Sequence, residues 1–115
     1  MKNILITGGG GYIGTNLVKE LLKEGYNVNV IDTFWFGNYF KNHKKLKVIK
    51  KDIRNILEKD LYKIDCVIHL ASIANDPAAE LNAKLTWEVN VVATYKLITF
   101  AINCQCELTL SLKIA

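Results

Sequence analysis

Residues 2–32 read KNILITGGGGYIGTNLVKELLKEGYNVNVID, and this stretch decides the fold. Lys2 to Thr7 reads as a short buried strand, and four glycines, Gly8 to Gly11, follow it. From Tyr12 to Glu24 the apolar residues Ile13, Leu17, Val18, Leu21 and Leu22 recur at helical spacing. Gly25 sits where a glycine that ends a helix belongs. Asn27 to Ile31 is a second strand, with Asp32 directly after it. Strand, glycine turn, helix and strand make one βαβ unit of about 30 residues.

The turn fits a phosphate-cradling pattern in two registers. Gly9-x-Gly11-x-x-Gly14 is one, and Thr7-Gly8-x-x-Gly11-x-x-Gly14 is the other. In both, one glycine permits the tight turn, Gly11 lets the backbone approach a pyrophosphate, and Gly14 lets the helix pack closely on the strand. Phosphates at this point meet the free amides and the positive end of the helix dipole. A run of glycines alone would also serve as a flexible turn. Here it stands between a strand and a helix, with an acid 18 residues beyond Gly14. Asp32 at the end of the second strand can accept hydrogen bonds from ribose hydroxyls, and its charge repels a 2′-phosphate. The combination predicts dinucleotide binding, with NAD favoured over NADP; an ordinary strand-end acid is the plain alternative for Asp32.

Working outward, residues 33–45 read as a loop bearing Phe34, Trp35, Phe36, Tyr39 and Phe40. These aromatics either wall an adenine pocket or pack the loop, and packing is the simpler role. Leu46 to Lys50 is a third strand, Ile53 to Leu61 a short helix, and Asp65 to Leu70 a fourth strand. The fourth strand is almost wholly apolar, as a parallel strand covered on both faces should be. A loop over residues 71–81 holds the only proline, Pro77, and a long helix spans 82–102. Alternating strands and helices predict an α/β domain with a parallel sheet and helices on both faces. From Glu107 to Leu112 polar and apolar residues alternate, which suits a half-exposed edge strand.

Composition narrows the class. The 115 residues are enough for one domain, half of them hydrophobic and 23% charged, so a core can form. No apolar run reaches the roughly 18 residues of a membrane span, so a membrane partner is not expected. Three cysteines, an odd number, make no disulfide framework and read as free thiols in a reducing cytoplasm. The net charge of +4 comes almost entirely from lysine, clustered at Lys41, Lys44, Lys45, Lys47, Lys50 and Lys51. Such a cluster can attract nucleic acid, yet it holds no arginine and flanks the third strand, where lysine blocks edge-to-edge pairing. Solvated surface is the better reading, and nucleic acid is not the expected partner.

The motifs together resemble the extended short-chain dehydrogenase/reductase family, the NAD-dependent nucleotide-sugar epimerases and dehydratases. Thr7-Gly8-Gly9-Gly10-Gly11-Tyr12-Ile13-Gly14 is similar to the family's T-G-x-x-G-x-I-G turn. Asp52-Ile53-Arg54 resembles its D-[IL]-R, which implies that Asp52 meets the adenine amino group and Ile53 packs on the ring. His69-Leu70-Ala71-Ser72 resembles its H-x-A-A, placing Leu70, Ala71 and Ser72 on the nicotinamide side. Asn90-Val91-Val92-Ala93-Thr94 resembles N-V-x-G-T, in which the Asn organises the central helix and the active-site water. The resemblance covers roughly residues 1–102. It implies the first half of a Rossmann sheet, in strand order 3-2-1-4 with room for a fifth. Its cofactor-binding set is Gly8, Gly11, Tyr12, Ile13, Gly14, Asp32, Asp52, Ile53, Leu70, Ala71, Ser72 and Asn90. It implies NAD as cofactor and a nucleotide-sugar as the family's substrate; apolar surface left uncovered on the fourth strand and the long helix predicts oligomers, such as a homodimer through the helix 82–102, or else low stability or aggregation. Taken singly, Asp52 reads equally well as a helix cap, His69 as a satisfied core histidine, and Asn90 as a solvent-facing helix residue.

Two features depart from the family pattern. Its acid/base pair, Tyr-x-x-x-Lys, is missing: four residues after the five tyrosines stand Asn16, Val30, His43, Cys66 and Thr99. Where the family's Ser-Ser is expected, Lys113 and Ile114 stand, with Ser111 as a stand-in if a deletion is allowed. No catalytic residue is therefore assigned. The pattern fades at about residue 103, so residues 103–115 are expected to be a divergent tail from a shifted reading frame or a shortened gene. The expectation is a cofactor-binding portion inactive by itself, or else a non-enzymatic NAD sensor.

Overall fold

Strand β1 (Asn3–Thr7) alternates its side chains between two separate cores. The computed structural model of the chain describes residues 2–34, 37–38, 40–71 and 83–110. Ile4 and Ile6 join Val18 of helix α1 (Tyr12–Lys23) and Val28 and Val30 of β2 (Asn27–Asp32) on one face. Leu5 and Ile31 turn to the opposite face, a direct result of the two-residue period of a strand. Strands β3 (Leu46–Lys50), β4 (Cys66–His69) and β5 (Glu107–Leu110) complete a five-stranded sheet in the order β3-β2-β1-β4-β5. Every pairing is parallel. The Rossmann-type α/β architecture expected from the sequence is present, with helices on both faces. β5 takes the edge beside β4, exposing alternate residues as its sequence alternation requires.

The second face is covered by a long helical segment. It runs as α2 (Ala83–Trp87), a five-residue π segment (Glu88–Val92) and α3 (Ala93–Asn103). Val89, Ala93, Leu97 and Ala101 are its buried stripe. Their four-residue spacing overshoots the α-helical turn of about 3.6 residues. The wider π turn at the start of the stripe offsets part of that drift and keeps Val89 over the sheet. The continuous helix read from the sequence is thus present but widened at one turn.

The helix expected over Ile53–Leu61 is replaced by two 3-10 turns, Ile53–Asn55 and Glu58–Leu61, with Ile56 extended between them. Two local side-chain bonds compete with a continuous helix. Asp52 accepts from the Arg54 amide at 2.9 Å, and Asp60 accepts from the Leu57 amide at 2.8 Å. The separate turns bury Ile53, Ile56 and Leu61 together in the core that the long helix covers.

The three cysteines are free, and no helix among the described residues is long and apolar enough to cross a membrane. Trp35, Phe36, Tyr39, Ser72, Pro77 and Ser111 lie outside the described residues.

Candidate dinucleotide site

Parallel strands end at a common edge, and the chain turns there four times. Gly8 follows β1, Asp32 closes β2, Asp52 follows β3, and Leu70 and Ala71 follow β4. These residues, with Gly10, Gly11 and Ile53, line a cleft of about 240 Å³. A cleft outside the carboxyl ends of the strands is where open α/β sheets bind ligands.

The glycine turn is tight for definite reasons. Gly8 has φ +72°, and a Cβ there would lie 2.6 Å from the Ala71 nitrogen, so only glycine fits. A Cβ on Gly14 would fall 2.6 Å from the Gly9 Cα, so the close approach it permits is to the turn itself. Gly9 is what packs on the sheet, 2.7 Å from Val30 Cγ1 when given a Cβ. Gly11 differs: a Cβ there meets nothing nearer than the Gly8 carbonyl oxygen at 3.6 Å. It is also the N-cap of α1 and brings no side chain to the first-turn amides, which are left open to a ligand.

Asp32 is locked to the turn. Its Oδ2 accepts from the Gly10 amide at 2.8 Å, and its Oδ1 accepts from the Phe34 amide at 2.8 Å. Each oxygen keeps acceptor capacity for a further donor. Phe34 has φ +56°, and its ring meets Phe40 edge-on at 6.4 Å while also lining the cleft. It packs the loop and walls the cleft at once.

At the other end, Asp52 and Arg54 form a fork. Arg54 Nη2 and Nε donate to the Asp52 carboxylate at 2.8 to 3.2 Å, and Nη1 donates to Glu88 Oε2 at 2.9 Å. Hydrogen bonds from Arg54 hold the Asp52 carboxyl below its ordinary pKa, and the two acids push the guanidinium up. Asp52 caps the turn that follows it, and it also lines the cleft.

His69 is 5% exposed and satisfied on both ring nitrogens. Nδ1 meets the Thr7 hydroxyl, and Nε2 lies 2.8 Å from the Thr94 hydroxyl. The Thr7 hydroxyl also accepts from the Ala71 amide at 3.4 Å. One arrangement satisfies all of these groups: Ala71 N–H donates to Thr7, Thr7 O–H donates to Nδ1, and Nε2–H donates to Thr94. Burial pushes the imidazole pKa down to about 4, which keeps it neutral. This is the core histidine of the plain reading, and it ties β1, β4 and α3 together below the cleft.

The cleft gathers Gly8, Gly11, Asp32, Asp52, Ile53, Leu70 and Ala71 of the residues singled out from the sequence. Tyr12 and Ile13 are exposed on the first turn of α1, and their side chains are not among its walls. Asn90 lies within the π segment, where its neighbour Val89 forms the wall. Ser72 falls outside the described residues. Sequence reasoning assigned no role in the cleft to Lys51 or Val89. A residue after a parallel strand end is a signal for the first; the second carried none beyond its helical position.

Comparison with known proteins agrees with this geometry. UDP-glucuronic acid decarboxylase 1 of Danio rerio is 30% identical over 115 residues, covering 96% of this chain and 27% of that protein. The UDP-N-acetylglucosamine 4-epimerase of Methanobrevibacter ruminantium M1, solved with UDP-N-acetylmuramic acid, is 33% identical with a TM-score of 0.84. That similarity covers 91% of this chain and 35% of the epimerase. MoeE5, solved with UDP-glucuronic acid and NAD, is 27% identical with a TM-score of 0.81, covering 94% of this chain and 36% of MoeE5. The chain thus spans about a quarter to a third of the length of these proteins. A sequence profile matches residues 4–112, through the glycine turn, the cleft and β5, and by that match the chain belongs to the NAD dependent epimerase/dehydratase family.

Proposed function

We propose that this chain is the NAD-binding portion of an enzyme that remodels a nucleotide-linked sugar. The observation that carries the reading is the 2.8 Å bond from the Gly10 amide to Asp32, which fixes the phosphate turn against the ribose acid in one cleft. The residues present fit the cofactor: Gly11 leaves its side-chain space open where a pyrophosphate would approach. Asp32 accepts from ribose hydroxyls and repels a 2′-phosphate. The α1 amides face the phosphates, Asp52 and Ile53 hold the adenine, and Leu70, Ala71 and Ser72 line the nicotinamide side. Tyr12, Ile13, Gly14 and Asn90 support that set from α1 and the long helix. NAD, when bound, supplies the hydride acceptor.

Relatives acting on or binding UDP-sugars support a nucleotide-sugar as substrate. These 115 residues hold no Tyr-x-x-x-Lys pair, so no turnover is expected from the chain by itself. A second reading, a non-enzymatic NAD sensor, rests on the same cleft. Free thiols fit a reducing cytoplasm. Trp87, Val91, Tyr95 and Ile102 leave an apolar stripe exposed on the long helix, which a second copy would cover as a homodimer. The divergent origin of residues 103–115 is tested by sequencing the encoding DNA past codon 95 for a shifted frame with a Ser and Tyr-x-x-x-Lys.

Calorimetric titration of the chain with NAD and NADP tests the binding. Saturable NAD binding with weaker NADP binding is expected; no heat at millimolar NAD overturns both readings. Sedimentation at rising concentration tests the dimer, and a monomer throughout removes it.

A further inference from the structure

Strand β3 is one edge of the sheet, and its outer side is open. At one end the Lys45 carbonyl accepts from the Val28 amide at 2.8 Å, and at the other the Lys51 amide donates to the Asp32 carbonyl at 3.0 Å. Between these ends a parallel ladder in the register Val28↔Leu46 to Asp32↔Lys50 engages alternate residues, Lys47 and Ile49. The amides and carbonyls of Leu46, Val48 and Lys50 therefore point away from β2. The Leu46 amide is taken by the His43 carbonyl at 3.1 Å. The other outward groups make no further bond among the described residues.

The charge along this edge has one sign. Residues 33–51 contain six lysines and no acid. Lys51 pairs with Asp60, and Lys45 donates to the Gly25 carbonyl. Lys41, Lys44, Lys47 and Lys50 are exposed and form no ion pair among the described residues. The two faces of the edge differ. Phe40, Leu46 and Val48, with Lys41 and Lys44, line a groove of about 600 Å³ on one face. Lys47 stands on the other, by the two-residue period of the strand. Such an edge repels a second copy of itself and suits a strand of opposite charge.

We propose that the outer edge of β3 is a docking site for an extended acidic segment of a partner protein, which joins the sheet as a further strand with acidic residues beside Lys47 and apolar residues over the groove of Phe40, Leu46 and Val48. The outward amides and carbonyls supply the main-chain bonds, and the unpaired lysines select the charge. Open backbone groups beside an apolar groove suit a peptide better than a nucleic acid, which the lysines alone would also attract.

The test is NMR of the isotope-labelled chain titrated with two capped peptides, Glu-Val-Glu-Val-Glu-Val-Glu and Lys-Val-Lys-Val-Lys-Val-Lys. With the acidic peptide the Val48 and Lys50 amides should shift saturably, and their hydrogen exchange should slow by about tenfold or more. The Lys47 and Ile49 amides, already bonded to β2, should change little. The lysine peptide should not bind. Val48→Pro removes an outward donor and no ladder bond, so it should weaken the acidic peptide by about tenfold. Lys47→Gln combined with Lys50→Gln should weaken it by a similar factor, and this pair carries the test if the proline variant does not fold. No shift at millimolar acidic peptide, shifts without slowed exchange, equal affinity for both peptides, or unchanged affinity in the folded variants overturns the inference. Tighter binding of single-stranded oligothymidylate, falling steeply with salt, overturns it in favour of nucleic acid.

Discussion

The imidazole of His69 lies 2.8 Å from the Thr94 hydroxyl, so a strand end and the long helix are joined by a single buried ring. The ring must stay neutral, because protonated Nδ1 can no longer accept from Thr7. Its pKa falls from 6.5 to about 4 on folding, through burial. Stability from this source is therefore fully present above pH about 6.5 and is lost as pH falls toward 4, up to about 3 kcal/mol in all. Urea unfolding at several pH values should show the loss, and His69→Asn should flatten the profile in that window. A wild-type curve flat from pH 6.5 to 4.5 would rule the account out.

Gly14 and Gly11 should separate folding from binding. A methyl group at Gly14 meets the Gly9 backbone at 2.6 Å, so Gly14→Ala should cost about 1–3 kcal/mol in chemical unfolding. Gly11→Ala has room and should melt near the wild type, yet its methyl group projects where a pyrophosphate would approach. Its NAD affinity should fall by about tenfold or more. Equal stability losses in the two variants would contradict the contrast.

Asp32 should govern cofactor choice. Asp32→Asn keeps an acceptor for one of its two amide donors but removes the charge. NAD affinity should fall by about tenfold, and the gap between NAD and NADP should narrow. Parallel titrations with both cofactors measure this; a gap as wide as in the wild type would show that the discrimination comes from elsewhere.

Leu97 is fully buried between the long helix and the sheet. Leu97→Ala should cost about 2–5 kcal/mol, the range for a leucine truncated in a packed core. Thr99→Ala, on the exposed side of the same helix, is the control. Its hydroxyl only donates back to the Tyr95 carbonyl at 3.1 Å, so the change is expected within about 0.5 kcal/mol of wild type. Unfolding midpoints in urea read both.

The strand and helix pattern was legible because burial follows simple periods. Leu5 between Ile4 and Ile6 shows the two-residue period, and Val18 on α1 the helical one. The edge position of β5 was equally readable from its alternation. The pair of 3-10 turns was not, because Asp52 and Asp60 act through local bonds that leave no periodic trace. Nor was the π segment, since Val89 and Ala93 look like ordinary helix positions until the sheet beneath them is known. In the cleft, Gly8 and Asp32 were legible from motif spacing, and Asp52 from the family resemblance. The roles of Gly9 against Val30 and of Phe34 in the wall depend on contacts between distant segments, and spacing does not encode those.

Phe34 holds a left-handed backbone that costs a non-glycine residue about 1 kcal/mol or more. The Asp32 carboxylate and the Phe40 ring hold it there through contacts within the chain itself. The strain is thus settled during folding, and a ligand arriving at this end meets a wall already in position. Association should then look like entry into a rigid receptor. Stopped-flow traces should be single-exponential, with an observed rate rising linearly with NAD concentration and no plateau from a slow rearrangement.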